Sequence, residues 1–110
     1  MGLKRGDVVI VALPGDHGKP RPALILESDH LAPTGHVLLC PGTSHLAEAP
    51  MRRYQVEPNV SNGLRETTQF QIDKITPARR ERCAAVIGKL DDAALAEIGA
   101  RILVVLGLAD

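Results

Sequence analysis

Short apolar runs of β-forming residues follow one another along most of this chain, with no helical repeat between them. Each run is cut off by Gly, Pro, Asn or Ser, the residues that turn a backbone most readily. GDVVIVAL (6–13) is almost continuously apolar, as a central strand is. PGDHGKP (14–20) is a loop, and RPALILE (21–27) the second strand, with Ala23, Ile25 and Glu27 opposite Leu24 and Leu26. HVLLCP (36–41), MRRYQVEP (51–58), ETTQFQIDKI (66–75) and AAVIGKL (84–90) supply further strands. NVSNG (59–63) is a turn around Asn62-Gly63. In TPARRERC (76–83), Thr76-Pro77 suits the start of a helix, but arginines in a first turn oppose the helix dipole, so only a short turn is expected. Helical periodicity arrives only in the tail. Asp91 and Asp92 cap it, Leu95, Ile98, Ile102 and Val105 or Leu106 recur at three to four residues, and Gly107 stops it. Consecutive strands without intervening helices argue for an antiparallel, partly closed barrel with one closing helix, all in one domain spanning 1–110.

Within this frame GKPRPALIL (18–26) is unusual, because an apolar strand opens on an arginine held between two prolines. Arg21 stays charged and keeps its guanidinium in water or against an anion. Pro20 and Pro22 fix the backbone on either side and remove two amide donors. The stretch is either a strand entrance with a solvated charge or a rigid support for a working cation. On the 66–75 run, Thr68, Phe70 and Ile72 share one face and Gln69, Gln71 and Asp73 the other, which marks a strand whose second face is wet or functional.

Composition narrows the function classes. Aromatic residues are 2% of the chain, too few for a base-stacking platform. Thirteen basic and 13 acidic side chains cancel, so any anion site depends on local placement. Basic residues do gather locally, as Lys19 with Arg21, Arg52 with Arg53, and Arg79, Arg80 and Arg82. The last group reads as a solvated face, or as a surface for RNA backbone or an acidic partner segment. His36, Cys40, His45 and Cys83 match no zinc-ligand spacing, so neither a metal nor a cofactor is expected. The start of the chain is charged, no apolar run approaches the ~20 residues a spanning helix needs, and a cytoplasmic protein with reduced thiols and no membrane association is expected.

Four segments in order, KRGDVVIVALPGDHGKPRPALIL, VLLCPGTS, TTQFQIDKI and GKLDDAALAEIGARILVVLGL, resemble the MazF/PemK family of toxins from toxin–antitoxin pairs. The resemblance runs over roughly residues 3–108. It implies an SH3-like barrel with a C-terminal helix, a homodimer and a cognate antitoxin, whose acidic or amphipathic segment is expected to fold on binding over Arg21 and the 14–20 loop. It also implies metal-independent, ribosome-independent cleavage of single-stranded RNA. Arg21 matches the family's catalytic arginine and Thr43 its catalytic threonine or serine, with Ser44 a neighbouring candidate. Gln71 matches a recurrent polar residue of the strand that floors the groove across the dimer. Lys19 and His17, in the loop before Arg21, are further candidates for substrate contact, His17 on its chemistry alone. Two rivals share the fold. A gyrase poison would act through a Trp-containing C-terminal segment, and this chain has no Trp. A non-catalytic barrel that binds a peptide or nucleic acid is disfavoured by Arg21 and Thr43 standing at the expected points.

Overall fold

The computed structural model describes residues 2–109; Met1 and Asp110, the ends of the expected domain and tail, lie outside the described residues. Seven strands run β1 (Asp7–Ala12), β2 (Pro20–Ile25), β3 (His36–Thr43), β4 (Arg53–Val56), β5 (Thr68–Gln71), β6 (Thr76–Arg79) and β7 (Cys83–Lys89), before helix α1 (Asp92–Val105). Every pairing is antiparallel, in the order β4-β5-β3-β2-β1-β7, with β6 also on β3. β3 is the hinge of this arrangement. Its first half pairs β6 from His36↔Arg79 to Leu39↔Thr76, and its last two residues pair β5 through Gly42↔Phe70 and Thr43↔Gln69. The expected partial barrel is thus a bent sheet whose end strands, β4 and β7, do not pair.

Both faces of the central strands are buried. Val8, Leu24, Cys40 and Phe70 lie on the face covered by α1, where Ile98 is fully buried and Leu95, Ile102 and Val105 pack at its edges. Val9, Val11, Ala23, Ile25, Val37 and Leu39 fill a second core on the other face with Ala78 and Cys83. Two-sided burial is why the first run reads as continuously apolar instead of alternating.

The helix follows its sequence signals. The Asp91 carboxylate accepts the Ala94 amide at 2.8 Å. At the far end Leu108 N–H reaches Leu103 C=O and Gly107 N–H reaches Val104 C=O, with Gly107 at φ +75°, a left-handed cap that glycine adopts without strain. Leu106 is exposed, so Val105 is the inward residue of the pair.

Two expectations are corrected. Residues 76–79 form strand β6 on the outer side of β3, and only Arg80–Arg82 is a turn, a single 3-10 turn. Pro77 is tolerated because β6 pairs on one side only. The 66–75 run is strand only over Thr68–Gln71 and then tightens into a 3-10 turn at Ile72–Lys74. No helix among the described residues is long and apolar enough to cross a membrane.

Candidate active site

Arg21 leaves β1 and β2 paired but β2 and β3 parted. On the β1 side the ladder continues through Val11↔Arg21 and Ala12↔Pro20. On the β3 side it stops at Ala23↔Pro41. Pro22 and Pro41 lack amide hydrogens, so neither can extend it. The register Ile25↔Leu39, Leu24↔Cys40, Ala23↔Pro41, carried two steps further, sets Arg21 across from Thr43. Thr43 is held instead by its pairing with Gln69. Gly42 beside it permits the close packing here, since a Cβ would come within 2.8 Å of Thr68 Cγ2 and 3.1 Å of the Pro22 carbonyl.

The gap opens into two cavities that share Arg21 and Thr43 as a common wall. The first, about 500 Å³, is bounded by Lys19, Ser44, Arg65 and Glu66 with apolar walls from Ile10, Leu64 and Ile87. The second, about 580 Å³, is bounded by Asp16, His45, Arg53, Gln71 and Lys74. Asp16 Oδ2 lies 3.3 Å from Arg21 Nε, with both side chains about one-third exposed. This pair rests on an unusual loop. Gly15, His17 and Gly18 all have positive φ, and Lys19 N–H closes a turn onto the Asp16 carbonyl at 2.9 Å. The carboxylate attracts the guanidinium through its Nε side, which leaves the terminal amino groups, in no ion pair among the described residues, for a ligand. The Thr43 hydroxyl oxygen accepts the His45 amide at 3.1 Å, so its own proton is directed elsewhere.

Of the residues singled out in the sequence, Arg21 and Thr43 meet at the shared wall, Lys19 and Ser44 join them in the first cavity, and Gln71 in the second. His17 lines neither cavity and is exposed. Gln69 departs from its expected wet face. It is buried, its amide exchanges hydrogen bonds with the Ala47 backbone at 3.0 and 3.2 Å, and its carbonyl oxygen accepts from Arg53 at 2.9 Å. Arg53 also donates to the His45 carbonyl at 2.9 Å, so this lattice fixes the segment after Thr43. The Arg80 side chain pairs with Glu27 at 3.3 Å and Arg79 with Glu81 at 3.3 Å. Neither arginine reaches the cavities.

No local sequence signal marks Asp16, Arg65, Glu66 or Lys74 as lining the cavities. Asp16 follows a glycine in a loop, a usual turn position, and residues 65–66 reach the site only through the packing of the 59–64 turn against β7. That turn is tightly built. The buried Asn62 accepts the amides of Asn59 and Leu64 and donates to the Glu57 carbonyl at 2.9 Å. Gly63 has φ +70°, and a Cβ there would collide with the Ile87 carbonyl.

Comparison with known proteins agrees with this geometry. Residues 4–106 match the family described as "PemK-like, MazF-like toxin of type II toxin-antitoxin system". The chain is 33% identical over 108 residues to a probable endoribonuclease MazF of Mycolicibacterium smegmatis, covering 97% of this chain and 99% of that one. It is similar in fold to the Mycobacterium tuberculosis toxin MazF-mt6, with a TM-score of 0.77, 21% identity and coverage of 94% and 99%. It is equally similar, with a TM-score of 0.77, 21% identity and 99% of both chains covered, to a mycobacterial endoribonuclease solved in complex with its cognate antitoxin. With a family match over residues 4–106 and a relative 33% identical over nearly the whole chain, this chain belongs to the PemK-like, MazF-like toxins of type II toxin–antitoxin systems.

Proposed function

We propose that this toxin is a cytoplasmic endoribonuclease that cleaves single-stranded RNA through the substrate's own 2′-hydroxyl, at Arg21 and Thr43. The observation that carries this reading is the wall they share between two cavities. A strand of RNA laid across it has its scissile phosphate on the wall and a neighbouring nucleotide in each cavity. As O2′ gives up its proton to solvent and bonds to phosphorus, and the P–O5′ bond breaks with O5′ taking a proton from water, the phosphorane gathers negative charge. The terminal amino groups of Arg21, beside the Asp16 carboxylate and on a backbone restrained by Pro20 and Pro22, meet that charge, and a preorganised donor is what electrostatic catalysis requires. The Thr43 hydroxyl donates a hydrogen bond to a phosphate oxygen. Lys19 and Ser44 on one side, and Gln71 on the other, are placed to hold the flanking nucleotides. No metal is used, since the guanidinium supplies the charge.

Regulation follows from the same surface. The fold neighbour solved with its cognate antitoxin supports a cognate antitoxin here. Such a partner would block RNA by lying over Arg21 and the 14–20 loop. Leu103, Leu106 and Leu108 stand exposed at the end of α1, an apolar patch suited to burial in a homodimer or under the antitoxin.

Kinetics of two variants test the assignment. Arg21→Ala is expected to lose roughly 10²–10³-fold in kcat, the usual cost of one preorganised oxyanion donor. Arg21→Lys is expected to recover little, because a point charge cannot reproduce a planar fork. Thr43→Ala is expected to lose less than Arg21→Ala. An Arg21→Ala protein that cuts RNA at the wild-type rate would remove the proposal.

A further inference from the structure

The first cavity contains a feature that phosphate binding does not use. Glu66 is the one carboxylate among its lining residues, beside Lys19, Arg21 and Arg65. A carboxylate near a scissile phosphate repels it, so its presence there calls for a ligand group that donates hydrogen bonds. Among the described residues the Glu66 and Arg65 side chains enter no ion pair, and both are exposed toward the cavity.

The segment that carries them is held firmly. Asn62 fixes its start through three hydrogen bonds, and Gly63 lets it press against β7. Thr67 Oγ1 donates to Glu57 Oε2 at 2.6 Å, and Thr68 Oγ1 donates to the Glu66 carbonyl at 2.9 Å. Two charged side chains on a backbone held on both flanks line the same cavity as Arg21 and Thr43. The apolar walls, Ile10, Leu64 and Ile87, suit the faces of a base, and about 500 Å³ is room for one nucleotide.

We infer that Arg65 and Glu66 read a guanine next to the scissile phosphate. This rests on the ribonuclease reading of the Arg21–Thr43 site. Bases of single-stranded RNA expose both their Watson–Crick and Hoogsteen edges. Guanine offers adjacent N1–H and N2–H donors that match the two oxygens of a carboxylate, and O6 and N7 acceptors that match a guanidinium. Uracil gives a carboxylate one N–H flanked by two repelling carbonyl oxygens. Cytosine and adenine each give it an amino group beside an unprotonated ring nitrogen.

The test is cleavage of a randomised single-stranded RNA pool, with product ends mapped by sequencing. Wild-type cuts are expected to show guanine at one position adjoining the cut. Glu66→Gln and Arg65→Ala are each expected to lower that preference by roughly ten- to a hundredfold relative to the preferences at other positions. An unchanged profile in Glu66→Gln, or a wild-type preference for another base at the position Glu66 controls, overturns the inference. Arg21→Ala in the same assay separates the two readings. If it cuts normally, the site itself is misplaced. If it is inactive while Glu66→Gln keeps the wild-type profile, only the guanine reading fails.

Discussion

Single residues in this protein divide into those that work on a ligand and those that hold them still. Asn62 belongs to the second group. It is 1% exposed and satisfies three backbone groups at once, two amides and a carbonyl. Asn62→Ala leaves those groups buried without partners, so a loss of about 3 kcal/mol is expected, from roughly 1–3 kcal/mol per unsatisfied group with partial relaxation. That should appear as a drop of more than about 10 °C in Tm for a chain of this size; a shift of a degree or two would mean that the turn has its own stability. The two cysteines are structural as well. Burial pushes the Cys40 thiol up to about 12, with Asp73 adding to the effect, and burial raises Cys83 too. At pH 8 neither forms much thiolate in the fold, so both should react with a disulfide reagent slowly in buffer and fully in guanidinium. The linkage has a definite sign: the unfolded Cys40 thiol ionises from about pH 9 while the folded one stays neutral to about 12, so stability falls across that window.

Elements show what a sequence can reveal and what it hides. Helix α1 was legible because its signals are local: the Asp91 cap, the inward spacing and the Gly107 stop all act within a few residues. Asp91→Ala is accordingly expected to cost about 1 kcal/mol, measured by urea unfolding with an unchanged slope. Arg21 stands out in the sequence because two prolines flank it where an apolar strand opens, whereas Thr43 is singled out only by the resemblance to the MazF/PemK family. β6 was hidden because Thr76-Pro77 is as good an opening for a helix as for an edge strand, and only β3 decides between them. Gln69 was misread because alternation gives the side of a strand and not what covers it. Here residues 45–47 fold back over that side. The 62–66 segment left no local trace of its site role, since it reaches the cavity only by packing on Ile87 and Gly88.

At the scale of the whole molecule, a bent two-sided sheet has its cores committed on both faces, and four of the ten exposed large apolar side chains, Leu103, Val104, Leu106 and Leu108, lie together at the end of α1. Burial of that patch in a homodimer predicts a light-scattering mass about twice the 11.8 kDa chain, and a monomer at micromolar concentration would leave the patch to the antitoxin. The proposed chemistry is a whole-molecule property too, because it depends on β2, β3 and the 14–20 loop meeting at one wall. The most direct measurement is the end groups left on a short single-stranded RNA cut in the presence of EDTA, beside the same RNA carrying one 2′-deoxy nucleotide at the cut. Attack by the 2′-hydroxyl without a metal gives a 2′,3′-cyclic phosphate and a 5′-hydroxyl, and no cutting at the deoxy position. A 5′-phosphate product, cleavage of the deoxy substrate, or loss of activity in EDTA restored by Mg²⁺ would contradict it.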